Sequence, residues 1–319
     1  MSAERGVRSA EFPKPTAFAR FKLFLELIRF SHTIFALPFA LLSATMAWSL
    51  IVKTSGALFR LFLPGIFRDL VAILLCMIFA RSAAMAFNRV VDAKFDVDNP
   101  RTARRHIPAG LVSRGTVAMW TALCAAGFIA STLLFLPNRW PLYLSVPFLA
   151  FICGYSLTKR FTSLAHFWLG TSLMLAPVAA WIAILGDAAF RDPWPPLVLG
   201  GAVLLWVAGF DIIYATQDVD VDRKLKLRSV PARFGVAGAL RIAALCHLGT
   251  VALLFALPSV FPAFGTVWYL GVAAVAALLV YEHAIVRPDD LTRVNDAFFH
   301  VNAIISLGLL AVGVVDLLV

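Results

Sequence analysis

Nine stretches of about twenty residues in this chain carry almost nothing but apolar side chains, at 31–51, 69–89, 114–136, 140–157, 164–186, 195–216, 234–257, 264–286 and 298–318. About twenty such residues are what an α-helix needs to cross the hydrocarbon core of a bilayer. Backbone N–H and C=O groups meet no water there, so a spanning segment must satisfy them as a helix or within a closed barrel. No two-residue alternation competes with the long runs. The fold class predicted is therefore all-α: a polytopic membrane protein of about nine transmembrane helices, forming a single domain over 1–319. Charged residues make up 14% of the chain, against about 25% in soluble domains. Residues 1–30 are basic and only modestly apolar, without the pattern of a secretory signal, and 16–30 is amphipathic enough to lie along the membrane interface.

The formal charge of +10 raises the question of nucleic acid, and the distribution of that charge answers it. With the N-terminus in the cytoplasm, 22 of the 28 Lys and Arg residues fall on the cytoplasmic side. Five fall opposite (Lys53, Arg60, Arg68, Arg139, Arg191), and Arg81 lies within the second span. The positive-inside rule accounts for this asymmetry, so no nucleic-acid partner is expected. It places the protein in a membrane such as the bacterial inner membrane. Cys76, Cys124, Cys153 and Cys246 lie within spans and show no CxxC or Cys/His spacing; they read as small buried hydrophobes.

Two polar clusters interrupt this apolar background: Asn88, Asp92 and Asp96 after the second span, and Asp211, Asp218 and Asp222 around the end of the sixth. Both lie on the cytoplasmic side of the predicted topology, and each opens a long polar loop (89–113 and 217–233), a hint of two similar halves. Spacings of four and seven place each set on one face if its helix continues; Asp98 and Asp220 then point elsewhere. Ionised carboxylates near hydrocarbon cost roughly 2.5–3.5 kcal/mol each at a helix centre, and a divalent cation offsets that cost. A single DxxxD is also what a solvated helix end paired with Lys or Arg looks like. Two such sets, with Arg101, Arg104 and Arg105 between them in NPRTARRHIPAG (99–110), point instead to a metal-bound diphosphate. Magnesium is the expected metal, since it prefers carboxylate and phosphate oxygens with water completing its shell.

On these residues the chain resembles the UbiA-type intramembrane prenyltransferase superfamily. NxxxDxxxD matches Asn88, Asp92 and Asp96; the second motif matches Asp218 and Asp222 in DxxYxxQDxxxD, with Asp211 and Tyr214 before them. FSHTIFALPFALLSA (30–44), NPRTARRHIPAG and GYSLTKRFT (154–162) extend the likeness over nearly the whole chain. The resemblance implies a ring of nine helices around a central cavity under a cytoplasmic cap. The branch it most resembles is the aromatic-acid polyprenyltransferases of quinone biosynthesis. The implied reaction is magnesium-dependent transfer of a polyprenyl group from polyprenyl diphosphate to a 4-hydroxybenzoate-like aromatic acid, as in ubiquinone biosynthesis. Prenylation of a dihydroxynaphthoate, as in menaquinone biosynthesis, is the alternative. Asp222 stands where haem-farnesylating members carry Lys, which argues against that branch.

In this reading Asn88, Asp92, Asp96, Asp218 and Asp222 hold magnesium, and Arg101, Arg105, Lys159 and Arg160 meet the phosphates. Tyr214 belongs to the substrate site, and Asp218 counts as catalytic through the metal it holds. Asp211 is a base or a phenol-orienting group, or equally a third metal ligand or a residue supporting the ligands. Arg29 or Arg160 would hold the acceptor carboxylate and His32 would hydrogen-bond the acceptor, although interfacial packing explains Arg29 and His32 equally well. Arg81, seven residues before Asn88, is expected to face the cavity, paired with a carboxylate there. His166, His247, His283 and His300 have no partner visible in the sequence and read as structural. Phe and Trp are abundant enough for a prenyl-binding wall, and lipid-facing packing explains the same abundance. Membrane lipid is the remaining partner. An ion-coupled transporter is the remote alternative, but its acids belong near mid-span, not at span ends.

Overall fold

The computed structural model describes Phe24, Leu27 and residues 35–55 and 59–319, the side chains of 54, 55, 59–63, 296 and 297 excepted. Its helices are α1 (Leu37–Ser55), α2 (Phe59–Asp96), α3 (Arg114–Thr132), α4 (Trp140–Thr158) and α5 (Ala165–Leu185). They continue with α6 (Trp194–Ala215), the short α7 (Val219–Lys224), α8 (Val230–Val260), α9 (Thr266–Ile285) and α10 (Asn302–Leu318). Eight of the described segments are long and apolar enough to cross a membrane, and α1 adds a shorter apolar stretch, Leu37–Lys53. No β-strand occurs among the described residues. The expected all-α membrane fold of about nine spans is what the chain adopts.

The helices close into a ring: α1 packs on α2, α2 on α3 and α4, α4 on α5, α5 on α6, α6 on α8, α8 on α9, α9 on α10, and α10 back on α1. The most enclosed is α6, whose Leu199, Val203, Val207 and Ile212 are buried. Between helices in lipid the solvent-driven hydrophobic force is weak, so close van der Waals packing must supply the association. Gly170 on α5 lies directly against the Leu204 backbone of α6, and Gly209 on α6 lies against the His247 ring of α8. Neither position has room for a β-carbon.

Polar side chains tie the far side of the ring. Trp206 Nε1 donates to Asn302 Oδ1 at 2.6 Å, and Asn302 Nδ2 donates to Glu282 Oε1 at 3.3 Å, linking α6, α10 and α9. His247 Nδ1 and His283 Nε2 meet at 2.9 Å between α8 and α9. These two histidines, for which the sequence shows no partner, are each other's partner. The four cysteines are free thiols in or beside the apolar interior, as expected.

The loops 97–113, 159–164 and 225–229 gather at one end of the ring. Arg228 fastens two of them: its N–H donates to the Lys159 carbonyl at 2.7 Å, and its guanidinium to the Phe161 carbonyl at 2.6 Å. At the opposite end Asn138 Nδ2 donates to the carbonyls of Ile182 and Ala183 at 2.9 and 3.0 Å, holding the α3–α4 connection against α5.

Replacing Gly170 with Val should force α5 from α6 and cost about 1–3 kcal/mol, the range for overpacking a close-packed interior. Its melting temperature in detergent should fall clearly below that of Gly308→Ala, a helical glycine with open space around its Cα. Equal melting temperatures for the two variants would contradict the close approach.

Candidate active site

A cavity of about 460 Å³ runs down the middle of the ring. The part of α2 that lines it, Ile73 to Asp96, measures roughly 35 Å at 1.5 Å rise per residue. Its deep portion is apolar, with Ile73, Met77, Phe128, Phe135, Leu144 and Phe148 among the lining residues. Its loop-covered end is polar, and the sequence clusters converge there: Asn88, Asp92, Asp96, Asp211, Tyr214, Asp218 and Asp222 all line it.

Helix α2 continues unbroken to Asp96, so the first set forms the single stripe its spacing predicts. Asn88 Nδ2 donates to Asp92 Oδ2 at 2.6 Å and to Ser156 Oγ at 3.2 Å. The second set departs from expectation. Helix α6 stops at Ala215, a tight turn covers Thr216–Asp218, and α7 starts afresh at Val219. Thr216 Oγ1 returns to the Ile213 carbonyl at 2.7 Å and Gln217 Nε2 to the Tyr214 carbonyl at 3.3 Å, local bonds of the kind that compete with a continuing helix. The turn nevertheless leaves Asp218 and Asp222 on the cavity, while Asp98 and Asp220 are exposed, as predicted.

Four carboxylates are each matched by one cation. Arg101 forks onto Asp218, Nε to Oδ1 at 3.0 Å and Nη2 to Oδ2 at 2.6 Å. Arg105 reaches Asp96 at 2.7 Å, Lys159 reaches Asp222 at 3.3 Å, and Arg160 reaches Asp92 at 3.3 Å. The loop geometry makes these reaches possible. Asn99 Oδ1 accepts from the Arg101 N–H at 2.9 Å and Thr102 Oγ1 donates to the Asp96 carbonyl at 3.1 Å, so the chain turns straight back over the end of α2. Arg101 also donates to the Tyr214 hydroxyl at 3.0 Å. Burial works against the Arg101 charge, but its bonds to Asp218 outweigh burial and hold the guanidinium above its ordinary pKa.

One buried oxygen, Asp96 Oδ2, has no hydrogen-bond partner among the described residues. No three His, Cys, Asp or Glu side chains converge tightly enough among them to enclose an ion alone. The carboxylate and amide oxygens of this set, with Asp96 Oδ2 unpartnered, suit a hard divalent cation that keeps water and takes oxygens from a bound phosphate, as magnesium does. Asn88, Asp92 and Asp96 on one wall, with Asp218 and Asp222 on the other, are the residues able to hold it.

Deeper in the cavity, Arg81 lines the wall with no hydrogen-bond or ion-pair partner among the described residues, and its Nε is buried. It faces the cavity as its seven-residue offset from Asn88 predicts, but the expected carboxylate pairing is not made. Arg160, one of two candidates for an acceptor carboxylate, is held by Asp92 and by the Val91 carbonyl at 3.0 Å. Arg29 and His32 lie outside the described residues.

His166, read from the sequence as structural, has a partner that the sequence does not show. It is fully buried, and its Nδ1 meets Asp211 Oδ2 at 2.6 Å. The two residues are 45 positions apart, so no motif spacing pairs them; the one available signal was a histidine at the start of a span following the basic loop.

The UbiA prenyltransferase family matches residues 36–304. The chain is 30% identical over 224 residues to a 4-hydroxybenzoate octaprenyltransferase of Nitrosospira multiformis, covering 70% of this chain and 74% of that protein. Its fold is similar to the apo structure of a UbiA homologue from Aeropyrum pernix K1, with TM-score 0.76 and 32% identity over 90% of this chain and 98% of that one. It is also similar in fold to a UbiA homologue from Archaeoglobus fulgidus bound to GPP and Mg2+, with TM-score 0.63 and 18% identity over 93% of this chain and all of the other. This chain, an integral membrane protein with carboxylates on both walls of a deep apolar cavity, belongs to the UbiA prenyltransferase family.

Proposed function

We propose that this prenyltransferase carries out magnesium-dependent transfer of a polyprenyl group from polyprenyl diphosphate to the ring of a 4-hydroxybenzoate-like aromatic acid. The observation that carries the acceptor assignment is Arg81: an unpartnered arginine inside the membrane span, on the cavity wall below the acidic stripe. A half-buried guanidinium facing an apolar span without a counter-charge is costly, and a carboxylate on the acceptor would supply that charge. The curated relative named a 4-hydroxybenzoate octaprenyltransferase supports the same acceptor class. The surplus of Lys and Arg at the loop-covered end supports a cytoplasm-facing site in a bacterial inner membrane, with lipid around the ring.

The chemistry follows from the two ends of the cavity. Apolar walls at Phe128, Phe135 and Phe148 suit the prenyl chain, and the paired charges above suit its diphosphate. Magnesium held there by Asn88, Asp92, Asp96, Asp218 and Asp222 would act as a Lewis acid on the diphosphate oxygens. Arg101, Arg105, Lys159 and Arg160, already gathered over the site, exchange a carboxylate contact for a phosphate contact. Arginine's planar fork is well matched to that role. Neutralising the leaving group lets the allylic C–O bond break. Tyr214, packed at 4.4 Å on Phe298, helps wall the reacting carbon from water. The acceptor ring attacks through the carbon ortho to its hydroxyl, and the cavity-lining carboxylate of Asp211 stands ready for the ring proton.

Incubating the purified protein with polyprenyl diphosphate and either 4-hydroxybenzoate or a dihydroxynaphthoate, then weighing the products, decides the acceptor. Prenylated 4-hydroxybenzoate is the expected product; prenylated naphthoate alone would redirect the assignment, and prenylation of neither would end it. Chelation should abolish turnover and magnesium should restore it. Asp92→Asn and Asp218→Asn should each lower kcat by about 100-fold or more, the scale of losing one preorganised electrostatic group. Arg81→Met should raise KM for the aromatic acid by about 10- to 100-fold, as expected for a lost charge-assisted hydrogen bond. KM for the diphosphate should stay unchanged, and an acceptor with its carboxylate converted to an amide should be handled alike by both enzymes.

A further inference from the structure

We propose that His166 is a positioning residue for the proton-accepting step, holding the Asp211 carboxyl aimed at the acceptor ring. This rests on the aromatic-acceptor reading above. The geometry comes from three elements. His166 begins the second residue of α5, Asp211 lies in the last turns of α6, and Val230 is the first residue of α8. The Val230 N–H, one of the first amides of its helix and so without an intrahelical acceptor, points to His166 Nε2 at 3.4 Å. An acceptor at Nε2 leaves the ring proton on Nδ1, and Nδ1 donates it to Asp211 Oδ2 at 2.6 Å. The tautomer is thus set by a backbone group, as in other sites where a histidine's second nitrogen fixes its first.

The consequence falls on Asp211. With Oδ2 tied to the imidazole, the carboxyl group loses its freedom to rotate. Oδ1 has no hydrogen-bond partner among the described residues, and Asp211 lines the cavity. That oxygen is the one left for substrate. In the step itself the allylic C–O bond to diphosphate breaks and a C–C bond forms to the ring carbon ortho to the hydroxyl. The proton on that carbon passes to Asp211 Oδ1, restoring the aromatic ring. Asp211 then returns the proton to water, so the products are the prenylated acid, diphosphate and one proton. His166 touches neither substrate; it acts through Asp211.

The test uses the full-length enzyme in detergent or vesicles with 4-hydroxybenzoate, and the same acceptor deuterated at the ring positions ortho to the hydroxyl. His166→Leu should lower kcat by about 10- to 100-fold, the scale of a misplaced general base, with KM for both substrates within about threefold. The ring-deuterium isotope effect on kcat should rise to about 2 or more, because proton removal becomes slow. His166→Asn, whose amide nitrogen stands where Nδ1 stood, should recover most of kcat, while His166→Gln, which mimics Nε2, should not. Should His166→Leu prove unstable, the Asn and Gln pair carries the comparison alone. Wild-type kcat and isotope effect in His166→Leu, or recovery in Gln as full as in Asn, would overturn the dyad and leave the acceptor reading in place. Failure of the wild-type enzyme to prenylate either aromatic acid would remove that reading, and the dyad with it.

Discussion

Taking an ionised carboxylate out of water costs several kcal/mol even after its surroundings relax, and this chain does so repeatedly at one end of an apolar helix ring. Asp96, Asp218 and Asp222 have side chains less than a tenth exposed. Each carries its own cation, two from loop 97–113 and one from the α4–α5 turn. The matching dictates the architecture above the membrane. Loop 97–113 must fold back so that Arg101 and Arg105 reach Asp218 and Asp96; the α4–α5 turn must bring Lys159 and Arg160 over Asp222 and Asp92. The cap is therefore held by the same side chains that would meet a diphosphate. Binding substrate means rearranging the groups that order the cap.

The remainder of the ring is arranged so that this end can stay fixed. Gly170 and Gly209 let α5, α6 and α8 approach until backbone meets backbone or ring. Those three helices carry His166, Asp211 and Val230. The positioning of Asp211 thus depends on small residues within about two turns of it. The Trp206–Asn302–Glu282 chain does similar service on the opposite side, just beneath Phe298, which packs against Tyr214.

What could be read from residues alone divides by range. Asn88, Asp92 and Asp96 repeat every four residues on one continuous helix, so their common face was visible without coordinates. Arg81, seven residues before Asn88, falls on nearly the same helical face and was visible for the same reason. The second cluster was legible in composition but not in shape: Thr216 and Gln217 turn their side chains onto the backbone and end α6 early, a local competition that spacing arguments ignore. His166 was not legible at all. Its partners sit 45 and 64 residues away on two other helices, and nothing short of the packed ring brings them together. Arg160 lines the cavity, and its hold on Asp92 and the Val91 carbonyl depends on how the α4–α5 turn sits over α2.

The cavity changes character along its length, from charged beneath the loops to hydrocarbon-like at Phe135 and Ile73. That gradient sorts the products of prenyl transfer by solvent. In the proposed reaction diphosphate would leave where the charged side chains are, and the prenylated product would be left with its tail already in an oily medium. Neither product would gain by leaving through the other's end. Phase partition would then draw the reaction forward as well as bond energies.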